Sequence, residues 1–216
     1  MSIPILLTSS IDPNNCVFLE RSLIEDRKND YLKSIKLWLT KTNFDLVYVD
    51  NSGYDISFLK EEFKSYGDRI EFHSFNGNNF DRSLGKSYGE LEIINYTLEN
   101  SYKIKQFNFF LKSTGRYFLS NIENTLSKIN LFDYDFIGYL SDDIMNTGFL
   151  GFNIDFYKDF YKKNFNSVNP LNDSNQYYLE HFCYYMAGNT EKKYFIDKLG
   201  IEGISGTFNS EITWMK

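Results

Sequence analysis

Asp45-Leu-Val-Tyr-Val-Asp50 is a short, β-branched, apolar run that stops at Asn51-Ser52-Gly53. A run of that kind closed by turn residues predicts a strand. Upstream, the segment Arg21 to Thr40 places Leu32, Ile35 and Leu39 at helical spacing. Further upstream, the apolar run Ile3 to Thr8 ends in Thr8-Ser9-Ser10 and predicts a buried first strand. Strand, helix, strand is the opening of a parallel α/β sheet.

Downstream the alternation continues. Helices are expected over Ile56 to Tyr66, Ser87 to Asn100, Ser120 to Ile129, Asp155 to Asn164 and Asn175 to Ala187. Strands are expected over Arg69 to Phe75, Phe107 to Lys112, Asp135 to Leu140, Gly148 to Phe152 and, last, Glu202 to Thr207. Ser113-Thr114-Gly115 is expected to break the Phe107 to Lys112 strand. No repeat or low-complexity linker marks a boundary, so one domain over residues 1–216 is expected.

A net charge of -6 argues against a dedicated nucleic-acid binder, which carries a basic surplus. The 42% hydrophobic and 19% aromatic content argues against disorder. Cys16 and Cys183 lie far apart and outside any metal-ligand spacing, which predicts two reduced thiols in a cytoplasmic protein. The first residues lack a basic leader, and no apolar run approaches the roughly 18 residues of a membrane span.

Gly85-Lys86-Ser87 invites a P-loop reading and fails it, because Phe80 stands where the first glycine is needed. No GxGxxG is present, which disfavours a dinucleotide enzyme. In an open α/β sheet, ligands bind outside the carboxyl ends of the strands. There the sequence offers Thr8 and Ser9, Asp50 and Asn51, Lys112, Thr114 and Arg116, and then Asp142 and Asp143. An Asp after the second strand suits a base or ribose, and Lys112 with Arg116 suits a diphosphate. Strand ends are also polar simply because they meet solvent.

Five stretches together resemble the small bacterial glycosyltransferases of GT-A type that act in lipopolysaccharide and capsule assembly. They are Leu6-Leu-Thr-Ser-Ser10, Asp45-Leu-Val-Tyr-Val-Asp-Asn51, Gly85-Lys-Ser-Tyr-Gly-Glu90, Phe110-Leu-Lys-Ser-Thr-Gly-Arg-Tyr117 and Asn146-Thr-Gly-Phe-Leu-Gly151. The resemblance runs from about Ile3 to Ser205. It implies a GT-A-like (Rossmann-like) α/β/α sandwich with a mostly parallel central sheet. It also implies a nucleotide-sugar donor and a surface-polysaccharide or lipid-linked glycan acceptor, met at the inner face of the membrane. The family's Asp-x-Asp metal motif is replaced here by Lys112-Ser-Thr-Gly-Arg116. The expectation is therefore no cofactor; Asp142 and Asp143 are catalytic candidates, the alternative to Glu180 as base, and the displaced place a divalent ion would take if one were needed.

The resemblance implies a late acidic general base for an inverting transfer, and Glu180 is the positional match. Its neighbour His181 points about 100° away on a helix and reads as a packing residue. His73 reads as structural. Gly85 and Gly89 would allow close backbone approach to a ligand, with Lys86 and Glu90 beside them. The same stretch also reads as a capping box, Ser87 with Glu90. Gly115 and Tyr117 complete the expected donor site, Tyr117 by stacking. A non-catalytic glycan-binding subunit and a nucleotidyltransferase are the competing readings. The first loop, Thr8-Ser-Ser-Ile-Asp-Pro-Asn-Asn15, lacks the basic, glycine-rich chemistry of the latter.

Overall fold

The computed structural model describes residues 3–13, 19–81, 84–141, 144–164 and 178–214. Strand β1 (Ile5–Ser9), helix α1 (Ile24–Lys41), strand β2 (Leu46–Asp50), helix α2 (Ser57–Glu62) and strand β3 (Ile70–Ser74) open the chain. Helix α3 (Gly85–Asn100), strands β4 (Phe109–Thr114) and β5 (Tyr117–Leu119) and helix α4 (Ile122–Leu126) follow. Then come β6 (Phe136–Ser141), β7 (Ile144–Met145), β8 (Phe149–Asn153), α5 (Ile154–Asn164) and α6 (Leu179–Gly188). Strands β9 (Lys193–Ile196), β10 (Ile201–Ile204) and β11 (Glu211–Trp214) end it.

The main sheet runs β3-β2-β1-β4-β8-β6, with β7 and β9 both pairing β6. The first four are mutually parallel, and β9 is parallel to β6. Strand β8 lies antiparallel between β4 and β6, so those two share one direction. The sheet is thus mostly parallel, as expected. A second, antiparallel sheet has the order β11-β10-β5.

Period-two alternation assigns the strands' side chains to two faces. Ile5, Leu7, Leu46, Tyr48, Phe109 and Leu111 face one core with Tyr31, Ile35, Trp38 and Leu39 of α1. Leu6, Val47, Val49, Phe110, Leu150 and Phe152 face the other, with side chains of α3, α5 and α6. Helices on both faces make the α/β/α sandwich. The alternation also sends Lys112, two residues beyond Phe110, toward the α3 and α6 side.

Several boundaries differ from expectation. The break after Phe107–Lys112 comes later: β4 continues through Thr114 because Thr114 N–H donates to Gly148 O at 3.0 Å. The helix expected over Ile56–Tyr66 stops at Glu62 and tightens into a 3₁₀ turn, Lys64–Arg69. The last expected strand ends at Ile204. The Ser87–Glu90 capping box is not formed: α3 starts at Gly85 with Leu84 before it, and neither side chain caps it. Ser87 Oγ instead accepts the Leu179 N–H at 3.1 Å, so it serves the start of α6.

Candidate active site

The register sets Thr8 beside Thr114 and Ser9 beside Asp50, so the polar ends of β1, β2 and β4 share one edge. Because β8 is antiparallel, the turn that precedes it, Asn146–Gly148, arrives at that same edge. Asn146 Oδ1 fixes this turn by accepting the Gly148 N–H at 2.8 Å.

A single chain of contacts joins four elements there. Thr8 Oγ1 donates to Glu90 Oε1 at 3.0 Å. The Lys112 ammonium pairs with that same carboxylate oxygen and donates to the Thr147 carbonyl. The Thr147 hydroxyl donates to Glu180 Oε1 at 2.9 Å. Lys112 is wholly enclosed, while the Glu90 side chain keeps 21% of its surface open. A buried cation of this kind is stable only because a carboxylate and a carbonyl meet it. Cys183 lies behind the pair. Burial pushes its thiol well above the usual range, against the pull of Lys112.

The ends of β1 and β2 are occupied in holding loops. Asp50, fully buried, accepts from Ser9 Oγ at 3.0 Å, Ile11 N–H at 2.7 Å and Ser52 N–H at 2.9 Å. It fastens the loop after β1 to the turn after β2. Asn51 Nδ2 donates to Gly89 O at 3.1 Å, and its buried Oδ1 has no partner among the described residues. A Cβ on Gly89 would lie 3.1 Å from that amide nitrogen, so a glycine suits this close packing of α3 on β2. Gly115 N–H donates to Thr8 O at 2.8 Å, and a Cβ there would come within 2.6 Å of the same oxygen. Only glycine lets β4 end so tightly against β1.

Tyr117 turns its backbone one way and its ring the other. Its carbonyl accepts from Ser34 Oγ and Trp38 Nε1 of α1. Its ring lies against Gly148, where a Cβ would be 3.2 Å away. Burial pushes the phenol above its usual range. Arg116 pulls it down, while Glu90, Tyr31 and Glu180 push it further up. The tyrosine ring therefore stands among the groups of the contact chain.

Arg116 takes a different direction from Lys112. It lines a cavity of about 190 Å³ between α1 and the small sheet, with Ser34, Phe118, Glu202 and Glu211 on the walls. Its guanidinium packs under Gly206, and its buried Nε and Nη1 have no hydrogen-bond partner among the described residues. Lys86 is exposed at the start of α3, and its Nζ donates to Thr207 Oγ1 at 2.6 Å.

The structure thus brings together Thr8, Glu90, Lys112, Tyr117 and Glu180, and it does not bring Arg116 to Lys112. Lys112, expected at a diphosphate, has its ammonium closed off by Glu90 and Thr147. Asp142 and Asp143 lie outside the described residues, as does Cys16. His73 bonds Glu71 at 2.6 Å, and His181 accepts the Tyr178 N–H at 3.1 Å, capping α6. Thr147 was absent from the expected site. Its signal in the sequence was the Asn146-Thr-Gly stretch, whose turn geometry puts the hydroxyl beside α6. At the end of β4 the Lys112 ammonium stands on the Glu90 carboxylate, where a divalent ion would need that oxygen for itself. Among the described residues no three His, Cys, Asp or Glu side chains gather to hold one.

No family model matches the chain. No curated protein matches it either. Solved structures do. The glycosyltransferase GlyE of Streptococcus pneumoniae TIGR4 aligns with a TM-score of 0.51 at 8% identity, covering 90% of this chain and 45% of GlyE. WbbM, a bifunctional glycosyltransferase, aligns at 0.52 and 8% identity, covering 90% and 38%. A cytidylyltransferase of Leptospira borgpetersenii aligns at 0.54 and 12% identity, covering 99% and 82%. The fold is GT-A-like. The chain spans less than half the length of either glycosyltransferase. Among the described residues no helix is long and apolar enough to cross a membrane.

Proposed function

We propose that this chain, as one GT-A-like domain over residues 1–216, transfers a sugar from a nucleotide-sugar donor to a glycan acceptor. The acceptor class is a surface polysaccharide or lipid-linked glycan at the inner membrane face. The observation that carries the reading is Glu180, held by Thr147 at the carboxyl edge of the sheet beside Tyr117 and Glu90. The Thr147 bond falls on Oε1, and no bond to Oε2 is recorded among the described residues. That oxygen takes the proton of the acceptor hydroxyl. The acceptor oxygen then bonds to the anomeric carbon as the bond to the donor diphosphate breaks, and the nucleoside diphosphate leaves from the opposite face. The result is inversion. Proton removal by a placed carboxylate contributes roughly 10²–10⁴-fold. In this reading no cofactor takes part, and Lys112 positions Glu90 and the Thr147 turn rather than touching donor.

The test is a melting-temperature screen with nucleotide sugars. A ligand that binds the native state alone raises the melting point. The reading expects at least one nucleotide sugar to do so, and a flat response to a full panel of donors would remove it.

A nucleotidyltransferase is the second reading, favoured by the cytidylyltransferase alignment, which covers most of both chains. That activity would release pyrophosphate from a nucleoside triphosphate and a sugar phosphate. Sugar transfer releases a nucleoside diphosphate and no pyrophosphate.

A further inference from the structure

We propose that Tyr184 is the platform on which the acceptor's terminal sugar stacks, and that the acceptor is a glycan of at least two pyranose units laid along α6 from Glu180 past Gly188. The proposal deepens the transfer reading, since it names the acceptor's size and the face it presents, and it rests on that reading for the role of Glu180.

The first observation is an aromatic ring without a partner. Tyr184 keeps 58% of its surface open. Among the described residues its ring meets no other aromatic ring, and its hydroxyl makes no hydrogen bond. Other exposed tyrosines are engaged. Tyr185 packs on Phe160 with 5.6 Å between ring centroids, and Tyr178 packs on His181 with 5.8 Å. Tyr102 lies under the Lys103 ammonium. On the helix surface the neighbours of Tyr184, three and four residues away, are Glu180, His181, Ala187 and Gly188. These are a carboxylate, an imidazole and near-bare backbone, not the contiguous apolar patch that a protein or a lipid surface needs. A lone flat ring among polar groups suits a pyranose instead. One face of that sugar carries C–H groups that lie on the ring, and its hydroxyls radiate from the rim to the polar neighbours.

The second observation is alignment. Glu180, Tyr184 and Gly188 recur at every fourth residue of α6, so they follow one side of the helix. The opposite side is committed to the core through Leu179, Phe182 and Met186. Glu180 is part-buried, whereas Tyr184 and Gly188 are exposed, so the track leads from the site outward. The rise from Glu180 to Tyr184 is about 6 Å, the length of one pyranose, and Gly188 lies about 6 Å further on. The Thr147 hydroxyl holds Glu180 Oε1, which leaves Oε2 to meet a hydroxyl of the sugar that rests on Tyr184. Around Gly188 the surface is open, since a Cβ there would meet nothing within 4 Å. A second sugar passes over that bare backbone as the glycan leaves the site, and a side chain at 188 would stand in its path.

Saturation-transfer NMR of the full chain with free glycosides tests this, because it needs neither donor nor turnover. The panel holds the methyl pyranosides of glucose, galactose, mannose, rhamnose and N-acetylglucosamine, and disaccharides built from them. Wild type is expected to bind at least one disaccharide more tightly than either of its single sugars. Tyr184→Ser should weaken that binding about tenfold, while Tyr184→Phe and Tyr184→Trp keep it, since the ring face carries the contact. The position is exposed, so these variants should melt as wild type does. The backbone at Gly188 is not left-handed, and glutamine favours a helix more than glycine does. Gly188→Gln should therefore fold at least as well and abolish the disaccharide's advantage, with the single sugar still bound. Phe132→Ser is the control: that ring is as exposed, on the turn that leads into β6 at the other edge of the sheet, and its loss should change nothing. Failure of wild type to bind any glycoside, or equal binding by Tyr184→Ser, overturns the platform. So does a dimer that Tyr184→Ser turns into a monomer, which would make this face an interface between copies. Tyr184-dependent glycan binding by a chain that transfers no sugar would keep the platform and remove the transfer reading. Transfer by Tyr184→Ser at the wild-type acceptor KM would do the reverse.

Discussion

Glu180 and Thr147 meet because a turn before β8 and the first turn of α6 reach the same edge. The Thr147 hydroxyl, by donating to one carboxylate oxygen, fixes the direction of the Glu180 side chain. Glu180→Gln keeps the shape and removes the base. Turnover should fall at least about a hundredfold, with donor affinity nearly unchanged, as expected of a group that acts in the transition state. Steady-state kinetics with donor titration checks this. Equal turnover would return Glu180 to an ordinary helix carboxylate. The acidic character of the late helix was legible from the sequence. The Lys112–Glu90 pair was not: its partners stand on β4 and α3, and only the packing of that helix on that strand brings them together. Lys112 and Arg116 read as a pair of cations from their spacing. Strand alternation and the turn at Gly115 send them to different sides.

Among the elements, Glu71 of β3 shows how a carboxylate ties a helix end to the sheet. It accepts from Ser101 Oγ at 2.8 Å and from the Tyr102 and Lys103 N–H groups at 3.1 Å each, at the turn after α3. Burial pushes its pKa up, but the bonds from His73, Ser101, Lys103 and Tyr102 outweigh this and hold it below the ordinary 4.5. A folded-state value below the unfolded one stabilises the fold above the ordinary carboxylate range. That contribution fades as pH falls through the folded value. Glu71→Gln should therefore lower stability at pH 7 by about 1–3 kcal/mol. In urea midpoints measured across pH, the gap to wild type should close on the acid side of 4.5. A gap constant with pH would deny the carboxylate this role. The long parallel strands were legible because apolar runs closed by turn residues leave one reading. Strands β5, β7, β9 and β11 were missed. Each has two to four residues, too few for periodicity to show, and β5 begins directly after a Gly-Arg turn. Ser87 looked like a local cap and caps a helix 92 positions away, which no window of sequence contains.

At the scale of the molecule, the parallel strands β3-β2-β1-β4 bring their carboxyl ends to one edge, and the reversed β8 returns Thr147 to it. Between β10 and β11 of the small sheet, the turn lays Gly206 on Arg116 and Thr207 against Lys86. The alternation of strands and helices made the sandwich legible. Of the closing sheet only β10 was legible, as the last expected strand: β5 joins it from far along the chain, and β11 has four residues. The fold it shares with two glycosyltransferases at 8% identity leaves the chemistry to be decided by the site. The central claim is that this site moves a sugar from a nucleotide donor. The direct measurement incubates the full chain with each of a panel of nucleotide sugars and a bacterial lipid-linked glycan extract, following nucleoside diphosphate release and label incorporation. The account predicts that one donor gives stoichiometric release and incorporation, both lost in Glu180→Gln. Release of pyrophosphate from nucleoside triphosphates instead, or equal incorporation by wild type and Glu180→Gln, would contradict it.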